Sequence, residues 1–466
     1  MRDIGHLKPT ITQPMSIKRI GPKRFNALAA HSRSPAAAFV SRELDWFSNE
    51  DESLLATLML DTIDNDYVGI ILGRDEGGRF RCIDVESSLP TVDDAFAWIG
   101  RAIAWHGREG QKVFPQGDTS EPLDLFKPIV SYEKMHPSFA KLCQSEAFAP
   151  ARRQIAEIMP HYVDVDGNFI EQFQTSGFDA RLWELFLYSY LVEEQLFTSR
   201  DHDCPDFMVT KYGKSVAIEA TIVGRRSDRP VSYFKTTPSL PENEDDVRQR
   251  LENEIPIRFG SPLYSKLQKR YWELDHVKDL PLVLAIADFH DDQSMTWTST
   301  ALINYLYGVK HEFHFDETGQ LIITPLKIEK HKHGQKEIPS SFFFQPDAER
   351  ISAVLFSASG TISKFNRMGR QAGFKAPGVV VIRVGTHHDH DPNAHLPKPF
   401  KYVVDESSKE TWAEGVSMFH NPNALHPVPR ELFPSIAHHT FQDGQIHSIL
   451  PEFYPYASFT LNLIAK

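Results

Sequence analysis

Cys204-Pro205-Asp206-Phe207-Met208-Val209-Thr210-Lys211-Tyr212-Gly213-Lys214-Ser215-Val216-Ala217-Ile218-Glu219-Ala220-Thr221-Ile222-Val223 is the stretch that decides the fold. Two β-forming runs flank Tyr212-Gly213, and Gly at the second position suits a two-residue type I′ hairpin turn. Counting outward from that turn pairs Lys211 with Lys214 and sets Asp206 opposite Glu219. Residues opposed on antiparallel strands have Cβ atoms about 4.5–5.5 Å apart. Two carboxylates at that spacing repel, so the arrangement calls for a cation between them. Alternation places Val216, Ile218, Ala220 and Ile222 on one face and Glu219 with Thr221 on the other. The plain alternative is a hairpin whose polar face meets water.

Two neighbouring segments bear on the same chemistry. Phe178-Asp179-Ala180-Arg181-Leu182-Trp183-Glu184-Leu185-Phe186-Leu187 opens a helix that is apolar nearly all round and hence buried on most sides. A carboxylate there, Glu184, must be paired, protonated or bound to a cation. A salt bridge to Arg181, three residues back, is the simpler reading. Downstream, Ser261-Pro262 reads as N-cap and first helical residue of a helix over Leu263–Leu274. On it Lys266 shares a face with Leu263, Lys269 and Arg270. A lysine beside two carboxylates can orient a water or stabilise charge on a phosphoryl group; a solvated basic face is the alternative.

Further out, strands are expected at Asp206–Lys211, Ser215–Val223, Leu282–Asp288, Leu321–Ile328, Ile351–Ser357 and Val379–Val384, with helices between several of them. That alternation predicts an α/β fold, a mixed sheet packed on both faces. Toward the N-terminus, Leu54–Leu60, Tyr67–Leu72 and Arg79–Val85 read as strands, with a hairpin turn at Asp75-Glu76-Gly77-Gly78 and a helix from Val92 to Ala104. This makes residues 1–125 a small α+β accessory unit, with a polar linker over 110–128. Residues 126–385 would be the core, and the Pro- and His-rich residues 386–466, with little periodicity, a C-terminal extension packed on it.

The chain has 466 residues, 41% hydrophobic and 24% charged, the balance of a globular protein. No apolar run approaches the roughly 18 residues of a membrane span, and Met1–Ile20 lacks the apolar centre of a secretory signal. Cys82, Cys143 and Cys204 lie far apart, which argues against a disulfide framework or a structural zinc site and suits the cytoplasm. A net charge of −12 excludes a protein coated in basic surface, so any nucleic acid must meet a local basic groove.

Glu on a helix, Pro-Asp opening a hairpin and Glu-x-polar on the next strand resemble the PD-(D/E)XK nuclease superfamily, over roughly Phe178–Asp288. "FDARLWELFL", "SPLYSKLQKRYWEL" and "SAVLFSASGTISKFNRMG" are similar to a bacterial family built on that core. The resemblance implies a restriction-endonuclease-like core acting as a Mg²⁺-dependent (or Mn²⁺-dependent) endonuclease. It implies Asp206 and Glu219 as principal metal ligands, the Ala220 carbonyl as a further one, and Glu184 binding directly or through water. The superfamily's lysine, two residues after the strand Glu, is Thr221 here, so Lys266 from the neighbouring helix would take its catalytic place. The implied partners are nucleic acid, DNA first, and a second copy of the chain or a partner protein of an anti-phage defence system. Arg225 and Arg226 (with Arg229) after the hairpin, Lys269 on the helix, and Lys364 with Arg367 beyond a Ser359-Gly360-Thr361 phosphate cradle are the expected nucleic-acid contacts; the plain alternatives are exposed loop arginines and an ordinary turn after a core strand. Two rivals remain: a catalytically silent module that binds nucleic acid or a partner protein, and a zinc hydrolase in which His387, His388 and His390 converge with a carboxylate. The second lacks a His-Glu-x-x-His motif.

Overall fold

Tyr212 and Gly213 both adopt positive φ, 55° and 70°, the signature of the type I′ turn. From there the register runs without a bulge from Lys211↔Lys214 to Phe207↔Ile218, so the next residues outward are Asp206 and Glu219. The computed structural model that shows this describes residues 17–108, 110–117, 124–225, 243–291 and 293–464. The chain divides into two compact units, Met1–Leu123 and Asp124–Lys466. Among the described residues no helix is long and apolar enough to cross a membrane.

In the first unit, β1 (Lys18–Ile20), β2 (Ser41–Ser48), β3 (Leu54–Asp61), β4 (Tyr67–Arg74) and β5 (Phe80–Leu89) form an antiparallel sheet in chain order. Helices α1 (Pro22–Ala29) and α2 (Ala37–Val40) lie between β1 and β2, and α3 (Val92–Gly107) follows β5. Thr91 caps α3 by accepting the Asp94 amide. The helix buries Ala95, Ile99, Ala102 and Ile103 in one cluster with Leu54, Ala56, Leu58 and Ile71.

The second unit opens with α4 (Pro137–Gln144), α5 (Ala149–Ile158), α6 (Phe169–Gln174) and α7 (Phe178–Glu193). Then come β6 (Phe197–Ser199), β7 (Phe207–Lys211), β8 (Lys214–Val223), α8 (Glu244–Gln249), α9 (Ile255–Leu267), β9 (Leu282–Asp288) and α10 (Ser299–Tyr307). Two small hairpins follow, β10 (Val309–Phe315) with β11 (Leu321–Lys327) and β12 (Lys330–His333) with β13 (Lys336–Pro339). The remainder is β14 (Ala353–Ser357), α11 (Ile362–Gln371), β15 (Val379–His387), β16 (Lys398–Val403), β17 (Val416–His420), β18 (Ala437–Gln442), β19 (Gln445–Ile449) and β20 (Pro455–Ile464).

Its main sheet has eight strands in the order β19-β18-β17-β14-β9-β8-β7-β6. β6, β7 and β8 form an antiparallel meander, while β9 is parallel to β8 and β14 parallel to β9. A parallel neighbour needs a crossover, and α9 lies in the one from β8 to β9. Each face of the sheet is covered. Val216, Ile218 and Ala220 join residues of α4, α5, α6, α7 and α11 in one cluster. Ala217 and Val223 join Phe259, Leu263 and Leu267 of α9 and Ala301, Leu302, Tyr305 and Leu306 of α10 in the other. The mixed α+β architecture with helices on both faces is thus as expected.

Several boundaries differ. The lysine helix starts not at Ser261-Pro262 but at Ile255, with Pro262 inside it, and it ends at Leu267 rather than Leu274. Phe259, Leu263 and Leu267 bury one face against the sheet, and that packing outweighs the hydrogen bond the proline removes. Within residues 386–466, β17, β18 and β19 are strands of the main sheet, while β16 and β20 flank β15 in a three-stranded sheet.

Gly213→Ala forces a Cβ into the left-handed region at φ 70°. It is expected to destabilise the second unit by about 1 kcal/mol, measured as a lower urea midpoint with an unchanged slope.

Candidate active site

β7 begins at Phe207, so Asp206 sits where the hairpin ladder opens. Two backbone donors fix it there: the Asp206 amide donates to Glu219 Oε2 at 3.2 Å, and the Ala220 amide donates to Asp206 Oδ2 at 2.8 Å. Glu219, on the face beneath α9, is only 4% exposed. The reading of that face as solvated is therefore overturned, because α9 and the segment after it cover it. From α9, Lys266 Nζ donates to Glu219 Oε1. Past the helix end Arg270 takes a left-handed conformation (φ 53°), and the chain folds back so that the Tyr271 hydroxyl donates to the same oxygen at 2.7 Å. Further along this segment, the His276 Nε2–H donates to the Cys204 carbonyl at 2.9 Å, holding the residues just before Asp206. The His202 ring stacks on His276 at 3.7 Å.

Glu184 projects from α7 and is 7% exposed. Arg181 Nη1 donates to both its oxygens, at 3.0 and 2.9 Å, and the Tyr162 hydroxyl donates to Oε2 at 2.5 Å. Arg200 Nη1 lies 3.8 Å from the same oxygen. The simpler reading of Glu184, an ion pair with Arg181, is the one the structure adopts, with a second arginine added. Arg181 is itself held by Gln172 at 2.8 Å and Asn168 at 3.2 Å.

Burial, then the charges of Glu219 and Glu184, push the Asp206 carboxyl up from 3.8 to about 7. Burial and the Glu219 charge also hold the Tyr271 phenol well above its usual range, so it stays a donor.

Could these residues hold a metal? Among the described residues no group of three or more His, Cys, Asp and Glu is disposed to hold an ion. An all-protein cage of the kind zinc or calcium takes does not fit. Mg²⁺ makes lesser demands, needing one or two carboxylates with water and phosphate oxygens completing its shell. Asp206 and Glu219 meet that requirement. The Ala220 carbonyl leaves the strand on the same edge as the amide that reaches Asp206.

The other expected residues fall elsewhere. Thr221 follows on β8, half-buried, and carries no lysine's role. Arg225 lies with its Nε 3.8 Å from Asp179 on the first turn of α7. Arg226 and Arg229 are outside the described residues. Lys269 is exposed, beyond the end of α9 rather than on it. Lys364 and Arg367 are not phosphate contacts: they are 0% and 2% exposed. Lys364 Nζ donates to Glu410 at 2.8 Å, Arg367 donates to both oxygens of Glu410 at 2.8 Å, and Arg383 approaches it at 3.5 Å. Burial alone would raise Glu410, but Arg367, Lys364 and Arg383 hold it well below the carboxylate range. The Ser359-Gly360-Thr361 turn faces α7, since a Cβ on Gly360 would sit 2.7 Å from the Trp183 ring. His387 packs against Phe453 and Phe400, His388 bonds the Tyr456 hydroxyl and His390 the Glu452 carbonyl. They do not converge with a carboxylate, which removes the zinc-hydrolase reading.

Tyr162, Arg200, Tyr271 and His276 escaped the sequence reading. Only Tyr271 stands in a quoted motif, "SPLYSKLQKRYWEL", and there without a role. No protein-family model, curated protein or solved structure matches the chain.

Two outcomes are expected. A carboxyl raised in the fold keeps its proton longer there than in the unfolded chain, so the fold loses stability as pH climbs from 3.8 toward about 7. Without added metal, Asp206→Asn should therefore melt higher than wild type at pH 8, with the gap closing toward pH 4 (a round acidic endpoint, about the ordinary Asp value); calorimetry across pH reads this. Glu410→Gln leaves buried cations uncompensated and should destabilise by about 3–5 kcal/mol, read by denaturant titration.

Proposed function

We propose that the second unit is a metal-dependent nuclease with a restriction-endonuclease-like core, resembling the PD-(D/E)XK superfamily, and that it hydrolyses phosphodiester bonds of DNA. The observation that carries this reading is the register that sets Asp206 against Glu219 with Lys266 reaching the pair from α9. The chain order supports it as well: a helix bearing Glu184, an antiparallel meander bearing Asp206 and Glu219, then a helix bearing Lys266 that leads to a parallel strand.

In this reading Asp206 and Glu219, aided by the Ala220 carbonyl, hold Mg²⁺ or Mn²⁺. The ion, when bound, supplies an activated water and neutralises charge on the phosphate under attack. Lys266 orients that water and stabilises charge on the phosphoryl oxygens. Tyr271 keeps the Glu219 carboxylate in place, and Arg181 and Arg200 hold Glu184 while bringing positive charge close to the pair. A role in bacterial anti-phage defence is the setting that fits such a core, by analogy alone.

The second reading, a silent module that binds nucleic acid or a partner protein, draws on a specific observation. Glu184 is fully engaged by Arg181, Tyr162 and Arg200, so only two carboxylates remain for a metal.

Plasmid and single-stranded DNA cleavage with Mg²⁺ or Mn²⁺ separates the two. For the nuclease, wild type cuts, Asp206→Ala and Glu219→Ala lose at least about 100-fold, and Lys266→Ala loses a comparable factor. DNA retained on the protein without any cutting, under either metal, would establish the silent module instead.

A further inference from the structure

We infer that Lys266 is an internal counter-cation that a divalent metal displaces from Glu219 Oε1, so that metal loading frees the lysine beside the substrate. This rests on the nuclease reading above and assigns that site its own latch.

The argument is one of elimination over the carboxylate oxygens. Glu219 Oε2 accepts the Asp206 amide, and Oε1 accepts both Tyr271 and Lys266. Asp206 Oδ2 accepts the Ala220 amide. Glu219 Oε1 is thus the oxygen of the pair that already accepts two bonds, so an ion taking that oxygen needs one of them to yield. The two amides bond the other oxygens, Glu219 Oε2 and Asp206 Oδ2, and do not compete for this one. Tyr271 is 7% exposed and packed in the cluster with Leu263 and Leu267. Lys266 alone is a long unbranched side chain with a quarter of its surface in solvent, 25% exposed. It can withdraw without disturbing the core.

Electrostatics favour the exchange. A lysine supplies one positive charge against two facing carboxylates, whereas a divalent ion supplies two at a shorter distance to both oxygens. Its reach then puts the released ammonium group next to the metal-held phosphate, where positive charge is of use only once metal is present.

The test is Mn²⁺ alone, titrated calorimetrically into the full chain near neutral pH, comparing wild type, Lys266→Met and Lys269→Met. Lys269 is exposed on the same segment and controls for simple loss of a positive charge. The latch predicts that Lys266→Met binds Mn²⁺ about tenfold tighter, while Lys269→Met stays within about twofold of wild type. Binding by Lys266→Met where wild type shows none supports it equally. Unchanged or weaker binding by Lys266→Met, beside a wild type that binds, overturns the latch and leaves the metal centre standing. Equal tightening in both lysine variants overturns it too. No binding in either wild type or Lys266→Met overturns the latch and the metal centre together. Should Lys266→Met fail to fold, amine acetylation of wild type followed by mass spectrometry gives the same answer. Lys266 should become more reactive with Mn²⁺ while Lys269 does not, and an unchanged Lys266 rate refutes the latch.

Discussion

The mutual repulsion of Asp206 and Glu219 is the constraint to which the rest of the second unit answers. The hairpin register fixes the two carboxylates side by side, and the backbone amides of Asp206 and Ala220 tie each to the other's strand. Neither can rotate away without giving up a bond to the backbone. What remains is compensation by a proton, an ammonium group or a metal ion, and the surroundings make room for each. Burial and the neighbouring charges favour the proton on Asp206, and α9 delivers the ammonium group.

Glu184 faces the same problem and solves it differently. Two arginines and a tyrosine hydroxyl surround it, and those arginines are in turn held by Asn168, Gln172 and Tyr162. That arrangement is buried, and both oxygens of Glu184 are engaged in it. Asp206 and Glu219 have one ammonium group beside them, that of the partly exposed Lys266. The contrast supports the reading proposed for the second pair: exchange of one cation for another is easier there than in a buried cluster of two arginines and a tyrosine.

Much of this was legible in the sequence, and the failures have physical causes. The hairpin, its turn type and the pairing of Asp206 with Glu219 followed from alternation and one glycine, because strand register is a local property. Lys266 was reached through a wrong helix start. Ser261-Pro262 has the form of an N-terminus, yet tertiary packing of Phe259, Leu263 and Leu267 carries the helix across it. Tyr271 and His276 gave no periodic signal, since they act from a short 3-10 turn and an irregular stretch. Lys364 and Arg367 looked like a surface basic pair because their partner, Glu410, is 46 and 43 residues away in the chain. The strands beyond residue 385 went unread for a related reason. β18 carries polar His438 and His439 at buried positions, so composition masked an interior strand. Local patterns gave the strands and the acidic pair; partners distant in sequence gave nothing away.

The ion cluster around Glu410 also bears on the order in which the chain becomes a protein during synthesis. Lys364, Arg367 and Arg383 emerge from the ribosome before the carboxylates at 410 and 414 that neutralise them. Until then α11 and β15 carry positive charge that no low-dielectric interior tolerates. β14 likewise waits for β17, its neighbour on the far side of the sheet from β9. The acidic hairpin can form early from its own residues, but the sheet that rigidifies it closes only when residues 416–449 have arrived. A nascent chain of this protein would therefore carry its acidic pair on an unfinished scaffold, and synthesis of β17 to β19 would be the event that sets the site.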